Sequence, residues 1–120
     1  PMPPEADPAV DKNKIISHQK IYENDETLNI IVNYFYSGDH GEDVWMSATA
    51  TANGQSTGYW TYRPARLIKG EHQSSITVGI KEDAPSFHCS DGIVFNMFSK
   101  ESGMFYTHSV KFNKCWRSAR

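Results

Sequence analysis

Five histidines, two cysteines and one compact acidic loop supply most of the reactive side chains in this 120-residue chain. His18, His40, His72, His88 and His108 lie far apart, and none forms the H-x-x-x-H or H-E-x-x-H spacing that aims two imidazoles at one metal. His88, Cys89 and Asp91 offer nitrogen, sulfur and oxygen to a metal, but an ordinary loop with one disulfide cysteine is the expected reading. The loop Asp39-His40-Gly41-Glu42-Asp43 gathers three carboxylates, the donors calcium prefers. It lacks the D-x-D-x-D-G alternation that turns carboxylates inward, so a solvated hairpin loop is expected. A nucleophilic Ser or Cys needs activation by a neighbouring base. His88 and Cys89 are strand neighbours with opposite faces, so their adjacency makes no dyad. Two carboxylates across a cleft, as glycoside hydrolysis requires, have little room in a chain of this length. The expectation is therefore no catalytic residue, no metal and no cofactor. A small metal-dependent hydrolase around His88 and Asp91 is the third of three readings.

The aromatic residues carry the better signal. Trp60 and Tyr62 share one face of a strand, Tyr59 takes the other, and Trp45 is expected outward on its own strand. Trp45, Trp60 and Tyr62 are the candidate binding residues, an exposed platform on which the apolar C–H faces of sugar rings could stack. The reading favoured over the platform is that Trp60 is the core tryptophan of the sandwich and Trp45 covers an edge, since sandwich cores commonly hold one Trp.

Period-two alternation positions all these residues, and helical spacing is nowhere sustained. Expected strands are Lys14 to Tyr22, Leu28 to Tyr36, Val44 to Ala52, Tyr59 to Tyr62, Ser74 to Ile80, Gly92 to Phe98 and Met104 to Phe112. On the last, Met104, Tyr106, His108, Val110 and Phe112 share the inward face, which makes His108 a core histidine. Asn53-Gly54 is a strong turn dipeptide. Turn signals every 8–15 residues and seven strands give an all-β, seven-stranded antiparallel immunoglobulin-like sandwich.

The stretch Tyr62-Arg-Pro-Ala-Arg-Leu-Ile-Lys-Gly70, followed by an alternating strand, resembles the middle of immunoglobulin-like and fibronectin type III-like modules of bacterial exported proteins. The resemblance covers residues 14–112 in cadence. It departs from antibody domains in that Trp45 precedes both cysteines.

Composition sets the compartment and the partners. Residues 1–12 open with four prolines in eight residues, a linker composition; 13–116 form the sandwich and 117–120 a tail. The chain begins without Met, which suggests processing or excision. It contains no Asn-x-Ser/Thr sequon, which favours a bacterial exported protein. Net charge is −2 and the charges are scattered. The one basic cluster, Lys111, Lys114, Arg117 and Arg120, reads as a solvated strand and tail rather than a nucleic-acid site. No apolar run approaches the ~20 residues of a membrane helix. Cys89 and Cys115, expected just outside strands whose ends meet, form the candidate disulfide, worth roughly 3–4 kcal/mol by loop closure. An extracellular or periplasmic module follows, non-enzymatic, used for spacing, assembly or protein–protein contact through an edge strand. Carbohydrate binding is the second reading.

Overall fold

A computed structural model describes residues 12–61, 63–80 and 86–117, with only the backbone described at 58–61 and 80. It is all-β, with strands β1 (Lys14–Glu23), β2 (Thr27–Tyr36), β3 (Val44–Ala52), β4 (Gln55–Thr61), β5 (Ala65–Arg66), β6 (Gly70–Ile80), β7 (Phe87–Ser99) and β8 (Gly103–Arg117). Every pairing is antiparallel and the hydrogen-bonded order is β1-β2-β6-β4-β3-β7-β8, with β5 on β3. Three strands (β1, β2, β6) and five (β3, β4, β5, β7, β8) form two antiparallel sheets, an arrangement compatible with a β-sandwich. The hydrogen bonding that links them is short: among the described residues β4 meets β6 through Tyr59, Trp60 and Thr61.

Alternation dictates the core, as expected. Leu28, Ile30, Val32, Tyr34 and Tyr36 of β2 face Val44, Met46, Ala48 and Ala50 of β3 and Ile93, Phe95 and Met97 of β7 in one buried cluster. The tyrosines enter that core with their hydroxyls on loop backbone. Tyr34 accepts from Ile68 N–H at 3.0 Å, and Tyr36 donates to the Gly41 carbonyl at 2.6 Å while accepting from His40 N–H. A buried phenol needs such a partner, and here it anchors the connections between strands.

The strand count is eight rather than seven. β4 leaves β3 after Thr49, and β5 takes its place beside Trp45 and Met46. Leu67 N–H then bonds the Val44 carbonyl at 2.9 Å and its side chain enters the core. β7 and β8 are also longer than expected, so both cysteines lie inside strands. His108 is exposed rather than buried, because the inner side of the edge strand β8 is only partly covered. Met104 is 62% exposed, since a bulge at Phe105 sets it opposite Phe98 instead of in phase with Tyr106.

A second junction closes the molecule far from the β4–β6 link. The Asn24 side chain accepts Glu26 and Thr27 N–H groups and so builds the β1–β2 turn. Lys114, its side chain 4% exposed, donates to the Asn24 carbonyl at 2.7 Å, pairs with Glu23 at 3.2 Å and lies 4.6 Å from the Trp116 ring centroid. Arg117 N–H bonds the Asp25 carbonyl at 2.7 Å. Trp116 is fully buried and donates through Nε1 to Ser90 Oγ, which in turn donates to the Lys114 carbonyl.

The Lys20 ammonium hydrogen-bonded to Glu23, with Lys114 behind it, holds the Glu23 carboxyl below its ordinary 4.5 against a small desolvation effect. A folded value below the unfolded one means stability present above pH 4.5 and lost as pH falls through the folded value. Glu23→Gln should therefore be less stable than the parent at neutral pH, by no more than about 1 kcal/mol because the group is over a third exposed. The gap should close on acidification, as read by urea denaturation; a gap that does not change with pH would refute the assignment.

Candidate functional site

The outer face of β3, β7 and β8 is built in rungs, because aligned residues of antiparallel neighbours share a side. Trp45, Phe98 and Met104 form one rung, then Ser47, Asn96 and Thr107, then Thr49, Val94 and Ser109, then Thr51, Gly92 and Lys111. Thr107 Oγ1 donates to Asn96 Oδ1 at 2.9 Å, a cross-strand bond within the second rung. Trp45 Nε1 donates to Asp43, and the Arg66 guanidinium lies 5.7 Å from the Trp45 ring centroid, its Nη2 fixed on the Glu42 carbonyl. That guanidinium partly covers the ring that the sequence offered for stacking.

At the opposite end the rungs open into a groove of about 630 Å³. Three local features shape it. The Asn53–Gly54 turn has positive φ at both residues (52° and 80°), the conformation that Asn-Gly supplies in a two-residue hairpin. Its Asn53 N–H is held by the Asp91 carboxylate at 3.3 Å. Between Ser90 and Gly92, β8 spends an extra residue against β7, a β-bulge. Gly92 forms the floor: a Cβ there would stand 2.9 Å from Thr51 Oγ1 and 3.1 Å from the Val110 carbonyl oxygen. The Cys89–Cys115 disulfide joins directly opposed residues just beyond the bulge, with Cα atoms 3.9 Å apart and both residues exposed.

The expected platform is not assembled by the described residues. Trp45 is on the outer face; the Trp60 backbone pairs with Thr49, but its side chain lies outside the described residues, as does Tyr62 altogether. Trp116, not singled out from the sequence, is fully buried. Among the described residues no group of three or more His, Cys, Asp or Glu could hold a metal ion. The acidic loop instead borders a cavity of about 310 Å³, where His40 stacks on Phe105 at 3.8 Å and its Nδ1 lies 3.1 Å from Ser102 Oγ. Gly54-Gln55-Ser56-Thr57-Gly58 matches the G-x-S-x-G pattern. That pattern acts on a strained strand-to-helix turn; here Ser56 sits within β4, paired with Thr51 in a hairpin, and no histidine lines the adjacent groove. No helix among the described residues is long and apolar enough to cross a membrane.

The sequence matches no model of a known protein family, and no curated protein is similar to it.

The groove floor gives a direct test. Gly92→Ala should destabilise by about 1–3 kcal/mol, because Thr51 can rotate away but the Val110 carbonyl cannot. A chemical-denaturation midpoint equal to that of the parent would show that the close approach is not real.

Proposed function

We propose that the chain is a non-enzymatic exported module of immunoglobulin-like character that works by surface recognition in spacing or assembly, presenting the outer face of β3, β7 and β8. The observation that carries this reading is the contrast between that face and the sheet edges. β1 has bulges at Ile16 and Ile21, and β8 has one at Phe105 and one opposite Asp91. Bulges on edge strands interrupt the ladder that an incoming strand would extend. They weigh against strand addition, the docking mode expected from the sequence, and leave the regular face as the better surface. The disulfide supports export, since such bonds persist in oxidising compartments. Carbohydrate binding is favoured by one observation of its own: the middle rungs carry hydroxyls and an amide beside one apolar residue, Val94, and no charged side chain.

Titration of the denatured, unreduced protein should find no reactive thiol; two would remove the case for export. Sedimentation should find a monomer at high concentration, because neither edge offers an uninterrupted ladder. A dimer whose assembly is abolished by a proline placed in β1 or β8 would overturn the face-directed reading.

A further inference from the structure

We infer that the groove between the Asn53–Gly54 turn and the β7–β8 bulge binds a neutral saccharide of one or two sugar units. The inference rests on the outer-face reading and gives it a ligand class. Thr51 carries the case. The residue is 8% exposed, it lines the groove, and its hydroxyl has no hydrogen-bond partner among the described residues. The packed part of the residue is its carbon frame; the hydroxyl stays open to the groove, where a ligand hydroxyl can take the place of water as its partner.

The surrounding chemistry selects the ligand. Asn53, Ser109, Lys111 and Asn113 bring side chains to the groove that make no hydrogen bond within the described residues. Hydroxyls and carboxamides both donate and accept, which matches the hydroxyls of a sugar. Gly92, Val94 and Val110 supply apolar lining for a ring's C–H face. One carboxylate, Asp91, and one ammonium, Lys111, leave no net charge to favour an anion or a cation. The volume of about 630 Å³ falls in the range of roughly 300–1,000 Å³ for small-ligand sites. A peptide would seek unpaired strand backbone, whereas the β3, β7 and β8 ladders beneath the groove are paired with one another.

The test is a titration of the whole chain followed by ¹H–¹⁵N spectra, using maltose, cellobiose, lactose and chitobiose at millimolar concentration, with inorganic phosphate and blocked trialanine in parallel. At least one disaccharide should shift the amides of Asn53, Gly92, Ser109 and Lys111. Thr51→Val should weaken its binding roughly fivefold to tenfold without lowering the thermal midpoint. Asn113→Ala, at an exposed position, serves as the second variant should Thr51→Val fold poorly. No groove shift with any disaccharide, a response to phosphate or trialanine alone, or unchanged affinity in the variants would each overturn the proposal. Disaccharide shifts confined to the Trp45 end would also overturn it while leaving the outer-face reading standing.

Discussion

The buried Lys114 ammonium joins the β1–β2 turn to the end of β8, far from the β4–β6 ladder. Burying a lysine costs several kcal/mol unless its charge and its donors are matched. Lys114 meets both conditions with the Glu23 carboxylate and the Asn24 carbonyl, about ninety residues away in sequence, and with the face of Trp116 on its own strand. None of these would lie there unless the Asn24 turn were formed and the end of β8 were packed beneath it. The contact therefore reports on the completed fold and spans some ninety residues of chain. Among the described residues the strand ladder between the sheets consists of three residue pairs of β4 and β6; at the β1–β8 side the Lys114 contacts act together with the Arg117 N–H bond to the Asp25 carbonyl and the Ile15 N–H bond to the Tyr106 hydroxyl.

The same end of the molecule explains the groove. Going from Ile93 back to Ser90, β7 changes phase: Ile93 is in the core, Gly92 is buried but stands in the outer rung with Thr51 and Lys111, and Ser90 is buried beneath Trp116. A regular strand would place Ser90 and Gly92 on one side. The extra residue of β8 opposite Asp91 absorbs the change, so that Ser90 can serve the buried Lys114–Trp116 junction while Cys89 and Cys115 come to the outer surface. A groove beside Gly92 is the external mark of an internal requirement, and the disulfide fixes the register at the point where slippage is easiest.

This phase change also marks where the sequence stopped being legible. Alternation over 28–36 and 44–50 identified β2 and most of β3 with their buried faces, because the inner residues there are fully covered; at the end of β3 it fails, with Thr51 buried and Ala52 only half-buried. Running the same alternation backward from Ile93 puts Ser90 on the wrong side, which is why β7 was expected to begin at Gly92 and the cysteines to lie outside strands. Bulges leave no mark in a period-two pattern. His108 failed for a different reason: its phase on β8 was right, since it opposes the buried Phe95, but burial also needs a covering layer. His18 reaches the Phe95 ring from β1, 5.6 Å between centroids, without closing over the edge strand.

Legibility of the candidate site follows the same division. Asn53-Gly54 announced a hairpin, and Trp45 was correctly placed outward, because both depend on a few adjacent residues. That Asp91 would reach across to hold the turn, that Arg66 would lie over Trp45, and that Thr51 would be nearly enclosed beside a glycine all depend on register between strands distant in sequence. Aromatic residues drew attention because they are conspicuous in a sequence, whereas a groove made of Thr, Ser, Asn and Gly is composed of the residues common to every loop. Its chemical identity lies in the bulge that gathers them, which makes register, more than residue type, the quantity that defines a binding surface on this sheet.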